Sequence, residues 1–242
     1  MELCSGLGVL FGGSIMGAAL AVLEHDIGRP VLWASAQFIR AATPGSAVEV
    51  TVAAPAEGTR FTQARVTGRL DGADVFHVAA TLGRGRDGRS RTWGAPPGVL
   101  PPLDCPPRPA SPRSRGTIAE RIDVRPALAG SGQHPPGRVD SGRAAFWARP
   151  VDLDLDASAL GLLGDLVPSG IGVTLGERIR AQSLDNTVRI LRVVPTEWCL
   201  VDVRVQGVDN GVAHGLAHLW SEGGALLATA SQTAAVRPAA RR

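Results

Sequence analysis

The sequence predicts an α+β fold in which one unit, a helix laid on a strongly curved antiparallel sheet, is used twice in a single chain. Two observations lead there. The first is self-similarity at one spacing. Gln37-Phe38-Ile39-Arg40 has a counterpart in Arg189-Ile190-Leu191-Arg192, an offset of 192 − 40 = 152. At that offset Val48–Val52 (VEVTV) falls on Leu200–Arg204 (LVDVR), Asp71-Gly72-Ala73 on Gly223-Gly224-Ala225, and Val75-Phe76 on Leu227-Ala228. The second is that each half reads as a helix followed by about four strands, with extra strands ahead of the second helix.

Taken in order, Phe11–His25 (FGGSIMGAALAVLEH) reads as a helix started through Gly12-Gly13. Ile15, Ala18, Ala19, Val22 and Leu23 follow i, i+3, i+4, i+7, i+8 spacing and make one apolar stripe. Gly28-Arg29-Pro30 stops it. Ala36–Arg40, Val48–Ala53, Phe61–Leu70 and Val75–Leu82 read as strands, with turns at Thr43-Pro44-Gly45 and Asp71-Gly72. From Gly83 to Ser114 the chain is dense in Arg, Pro, Gly and Ser and loses its periodicity. Prolines cannot donate to a ladder, so this stretch is expected to be a mobile linker with solvated arginines.

Order resumes with a strand over Thr117–Arg125, gives way to a loop over Pro126–Arg138, and returns as a strand over Arg143–Val151. Asp156 is placed to cap a helix over Ala157–Val167 by accepting from its free N–H groups. Pro168-Ser169-Gly170 is expected to end that helix. Cys199–Gln206 (CLVDVRVQ) then alternates apolar and polar, His214–Trp220 follows, Ser221-Glu222-Gly223-Gly224 turns the chain, and Ala225–Gln232 is the last strand. A helix against a curved antiparallel sheet is the hot-dog arrangement, so the expectation is a double hot-dog. Its parts are 1–83, a linker 84–116, and 117–238. The first copy starts almost at its helix, so its leading strand is missing or replaced.

Composition narrows the partners. Hydrophobic content is 44%, aromatic content 4% with no tyrosine, so the core must be built from Ala, Val, Leu and Ile. The net charge is only +3 and the arginine surplus sits in mid-chain, so a nucleic-acid partner is not expected. Cys4, Cys105 and Cys199 lie far apart without metal-ligand spacing and read as inert, buried thiols. Their odd number suits a reducing compartment. Leu7–Leu23 lacks a basic leader, is interrupted by Gly12-Gly13, and is too short and weakly apolar to span a membrane. Cytoplasm is the expected address.

No Gly-rich phosphate loop, HExxH, GxSxG or CxxC pair is present, so no cofactor or metal is expected. What stands out is asymmetry between the copies. At the 152 offset Gln232 falls on Ala80 and Ser183 on Val31. Polar in one copy and apolar in the other implies that one half is scaffold and the other carries a site. A buried amide costs a few kcal/mol unless bonded, so Gln232 needs a partner. Asp165 lies about 140° around the helix from Leu160, away from the stripe of Leu160, Leu163 and Val167. Alone it reads as a solvated helix face, unless that face meets the other half.

In these residues the chain resembles the type II acyl-CoA thioesterases, a double hot-dog family. That family has an Asp near the end of the second helix, a Ser or Thr before a [ST]-[IL]-D strand start, and a closing-strand Gln in a pattern like ASxxQ-x(4)-R. The matching stretches are LLGDLVP with Asp165, SLDN with Ser183, and ATASQTAAVR with Gln232. Thr196-Glu197-Trp198, the Phe11-Gly12-Gly13 helix start and Phe38-Ile39-Arg40 add to the likeness. The chain departs from it in Ser14, where Gln is common after FGG, in Asn186, where His commonly follows SLD, and in a short loop between Asp165 and Ser183. These departures bear on substrate preference.

The resemblance implies hydrolysis of acyl-CoA thioesters without a cofactor, Asp165 taking the proton of a water that Ser183 and Gln232 hold. Backbone N–H groups at Gly12 and Gly13, at a helix N-terminus, are expected to polarise the carbonyl. The expected partner is an acyl-CoA substrate, and a homo-oligomer is compatible with the reading. Two rivals come from other classes. Asp209 and His214 have the D-x4-H spacing of hot-dog hydratases, though on a segment linking two strands. A non-catalytic acyl-binding protein is the other.

Overall fold

In the computed structural model, which describes residues 3–85, 88–109, 111–128 and 141–239, the first apolar stripe becomes α1 (Gly12–Ile27). Gly28 ends it in a left-handed conformation (φ 68°), returning its N–H to the Glu24 carbonyl. Ile15, Ala19 and Leu23 are buried as the spacing requires. Ala18, however, is exposed, while Met16 and Leu20 are fully buried. The buried face is wider than one stripe because α1 packs on the sheet and on a second helix at once.

The first half continues through β1 (Val31–Phe38), β2 (Glu49–Glu57), β3 (Phe61–Leu70) and β4 (Ala73–Gly83). The second half holds β5 (Ile122–Pro126), β6 (Arg143–Pro150), α2 (Ala157–Gly164), α3 (Val167–Leu175), β7 (Ile179–Ser183), β8 (Asp185–Ile190), β9 (Cys199–Asp209), β10 (Val212–Ser221) and β11 (Leu226–Pro238). All eleven strands belong to one sheet in the order β2-β3-β4-β1-β8-β11-β10-β9-β6-β5, with β7 pairing β11. This is the α+β, double hot-dog class expected from the sequence. The strand expected from Thr117 begins only at Ile122. Thr117 instead accepts from the Ala119 N–H and starts a 3₁₀ turn over Ile118–Glu120, a local side-chain bond that competes with the ladder. Of the loop expected over Pro126–Arg138, residues 129–138 lie outside the described residues.

The two halves meet edge to edge. β1 and β8 pair antiparallel from Trp33↔Arg189 to Gln37↔Asp185. Central to that seam, the Ser35 and Thr187 hydroxyls lie 2.7 Å apart, and 187 − 35 = 152. A pseudo-twofold axis therefore crosses the seam at this pair, where equivalent positions touch. β1 starts five residues before the expected Ala36: none of Val31–Ser35 is exposed on either face, and a strand covered on both faces loses clean alternation.

The helices correct the expectation. At the 152 offset α1 (12–27) falls on 164–179, which contains α3 and not α2. The helix ends earlier than expected, at a break over Asp165-Leu166, and Pro168-Ser169-Gly170 lies inside a second helix with Pro168 in its first turn. Proline has no N–H to give the Gly164 carbonyl, and its ring clashes with that carbonyl, so one continuous helix cannot pass. A new helix can start there, because the missing N–H would have been unpaired in a first turn anyway. Together Ala157–Leu175 is the one helical stretch among the described residues long and apolar enough to cross a membrane, and most of it is buried inside the protein.

The segment after Gly83 is not a free tether, contrary to expectation. Among its described residues it has no strand, but it lies across the outer face of the sheet. There Cys105 is buried with Trp147, Trp198, Leu200 and Trp220, and Val99 packs against them. The Trp147 indole N–H donates to the Leu100 carbonyl at 2.9 Å. Large apolar side chains on that face need cover, and extended Pro-rich chain supplies it with few donors to satisfy. All three cysteines are free and buried.

Candidate active site

Asp165 sits at the break between α2 and α3, as the C-terminal cap of α2. Its face of the helix does meet the other half, and it is 2% exposed. The backbone N–H of Gly13, at the start of α1, donates to Asp165 Oδ2 at 2.7 Å. Again 165 − 13 = 152, so this bond also joins equivalent positions of the two copies. The approach requires glycine. A Cβ on Gly12 would lie 2.8 Å from Asp165 Oδ2 and 2.9 Å from the Phe38 ring; one on Gly13 would lie 2.5 Å from the Leu162 carbonyl oxygen. No larger residue fits without moving the helices apart.

On the other carboxylate oxygen, Ser183 at the end of β7 donates its hydroxyl to Asp165 Oδ1 at 3.2 Å. The Gln232 side-chain N–H₂ reaches the same Oδ1 and also donates to Ser183 Oγ at 2.7 Å. Gln232 faces the helix side of β11 with Ala230 and Ala234, as period-two alternation requires. Asp165, Ser183 and Gln232 are thus in mutual contact. Burial pushes the Asp165 carboxyl up from 3.8 to about 7, against the opposing pull of the bonds from Gln232, Gly13 and Ser183.

Asp165 and Ser183 open into a cavity of about 490 Å³. Leu7, Val9, Leu10, Phe11, Ile15 and Phe38 give it an apolar wall from the first half, and Gly12 also lines it. Residues 3–11 lead into α1 along one side of this cavity. They are tied down by the Cys4–Leu10 bridge and by Leu10 N–H to the Ala42 carbonyl. The expected donor pair is divided: the Gly13 N–H is already given to Asp165, so only Gly12 keeps a free helix-terminal N–H for a substrate. The two single-residue departures from the family pattern, Ser14 and Asn186, are buried. Ser14 Oγ, both amide atoms of Asn186, and Gln232 Oε1 have no protein hydrogen-bond partner. Asp209 and His214, the alternative acid–base pair, are exposed at the β9–β10 hairpin and do not line the cavity. His214 Nδ1 lies 3.2 Å from Thr233 Oγ1 instead. Among the described residues no cluster of His, Cys, Asp and Glu could hold a metal.

Residues 3–83 match the family model described as acyl-CoA thioesterase N-terminal domain, and residues 102–236 that of the acyl-CoA thioesterase C-terminal domain. The chain belongs to the acyl-CoA thioesterase family. A solved structure from Novosphingobium aromaticivorans, assigned as a thioesterase, is 35% identical with a TM-score of 0.82, covering 94% of this chain and 87% of that one. The Alicyclobacillus acidocaldarius protein of unknown function with a hot dog fold is 21% identical (TM-score 0.85, covering 97% and 89%). Acyl-CoA thioesterase II TesB2 from Mycobacterium marinum is 23% identical (TM-score 0.74, covering 95% and 91%), and these two show the fold alone. No curated protein sequence matches the chain.

What sequence reasoning missed in this acyl-CoA thioesterase is the Gly13–Asp165 bond and the apolar wall. The first was within reach, since residues 13 and 165 stand one offset apart. The second was not, because nothing in residues 3–11 marks them as the side of a cavity.

Proposed function

We propose that the chain hydrolyses acyl-CoA thioesters through a water activated by Asp165. The carrying observation is a carboxylate buried between the halves, with its pKa raised to about 7, in contact with both Ser183 and Gln232. In its ionised form Asp165 takes a proton from a water held by Ser183 and Gln232, and the resulting hydroxide attacks the thioester carbon. The carbonyl oxygen carries the developing charge and is met by the Gly12 N–H at the start of α1. Collapse breaks the C–S bond, the fatty acid leaves, and the CoA thiolate recovers the proton from Asp165. The apolar wall of the cavity takes the acyl chain.

The test is release of free thiol from a panel of acyl-CoAs. Asp165→Asn keeps the shape and removes the base, so turnover is expected to fall at least about a hundredfold while the far-UV spectrum and Tm persist. Ser183→Ala and Gln232→Ala are expected to cost less, each removing one contact to the water. An Asp165→Asn variant with full activity would overturn the proposal. Hydration of an enoyl-CoA without thiol release would replace it with the hydratase reading, and binding without turnover with the acyl-binding reading.

A further inference from the structure

The cavity above Asp165 and Ser183 is rimmed by three arginines that the proposed hydrolysis does not use. Arg180 on β7 stands directly opposite Arg237 on β11, and Arg40, just past β1, approaches from the first half. All three are exposed and line the cavity. Among the described residues none of them has a carboxylate within ion-pair distance. Two like charges facing each other across an antiparallel pair destabilise it, so this placement costs the folded chain something unless an anion joins them. Among the described residues the only acidic side chain lining the cavity is Asp165 itself, which lies buried in its wall, so the charges described at the rim are cationic.

We propose that Arg40, Arg180 and Arg237 bind the phosphate groups of a phosphopantetheine-bearing thioester, an inference that rests on the thioesterase reading of this site. Reach supports it. Arg180 lies three residues from Ser183 and Arg237 five from Gln232, about 10 and 17 Å along their strands. An extended pantetheine arm has thirteen bonds from sulfur to phosphorus, about 15 Å at the ~1.2 Å advance per bond of an extended chain. With the thioester at Asp165, the phosphates therefore arrive at the rim. The chain contains no lysine, and guanidinium forks match phosphate oxygens two at a time. Because Arg40 belongs to one half and the other two to the second, the ligand spans the seam.

The experiment compares one acyl group carried on CoA, on 4′-phosphopantetheine and on N-acetylcysteamine, which has no phosphate. Arg40→Ala, Arg180→Ala and Arg237→Ala are each expected to lower kcat/KM for the CoA ester about tenfold through KM, and to leave the N-acetylcysteamine ester unchanged. Equal losses on the CoA and phosphopantetheine esters assign the rim to the pantetheine-linked phosphate that carrier proteins share. A loss confined to the CoA ester assigns it to the phosphates of the nucleotide. Calorimetric binding of free CoA, weakened about tenfold by each change and by added salt, gives a readout independent of turnover. Unaltered CoA binding and KM in all three variants would overturn the proposal, as would an equal loss on the ester without phosphate. Failure of the wild type to cleave any ester, with CoA binding still dependent on the arginines, would sink the thioesterase reading and leave the phosphate rim.

Discussion

Asp165 carries two pH signatures of opposite use. As a base it must be ionised, so kcat/KM is expected to rise with pH along an acid limb centred near 7 and then level, and Asp165→Asn is expected to lose that limb. Stability runs the other way. The folded chain retains up to about pH 7 a proton that the unfolded chain releases near 3.8, so folding takes up a proton between those values. Unfolding free energy should therefore fall as pH rises from 4 to 7 and stay level above it. The loss is a few kcal/mol, at about 1.4 kcal/mol for each pH unit across that window. Denaturant melts at pH 4.5 and 8 check this, with Asp165→Asn expected to show a flatter profile. Stability is given up at this residue to keep a base that works near neutral pH.

At the scale of elements, the break between α2 and α3 holds Asp165 where it is. Pro168→Ala restores an N–H to the Gly164 carbonyl and lets one helix run through, which would turn residue 165 away from its capping position. Turnover is expected to fall at least about tenfold, while Tm holds or rises. Kinetics and melting of the same preparation separate the two effects. This element also marks the limit of what the sequence discloses. β3 was legible to the residue, Phe61–Leu70, because Thr62, Ala64 and Val66 alternate cleanly between buried and exposed neighbours. Pro168 was not, since a proline in the first turn of a new helix and one that ends an old helix look the same in one dimension. The Pro-rich segment failed for a related reason. Its composition is that of a tether, and the patch of Trp147, Trp198 and Trp220 that holds it down comes from three separate stretches of the chain.

At the scale of the whole molecule, the seam makes each half the other's cover. Separated, the first half would expose the β1 edge and the glycine face of α1, and the second the β8 edge and the buried carboxylate. Fragments 1–116 and 117–242 are expected to aggregate or stay unfolded alone and to recover thiol-releasing activity only when produced together. Size-exclusion and circular dichroism of each fragment, then of the mixture, test it. The repeat itself was visible at this scale, because one offset tied Arg40 to Arg192 and the Asp71-Gly72 turn to Gly223-Gly224. The direction of its asymmetry was visible in Ala80 against Gln232. The contact of residues 13 and 165 was in reach through that same offset, although the pairing of β1 with β8 that brings them together shows in no single strand.

That contact sets the stoichiometry of the enzyme. A perfectly symmetric duplication would place an aspartate at residue 13 as well. Yet a Cβ there would lie 3.1 Å from the Cβ of Asp165, on the axis that exchanges the two halves. Two such groups overlap sterically, and their carboxylates would repel in a dry interior. The axis therefore admits one acid and demands a glycine as its mirror image, so the chain can divide labour but cannot double it. Active-site titration should count one site per 25.1 kDa of protein, however evenly the two halves share the fold.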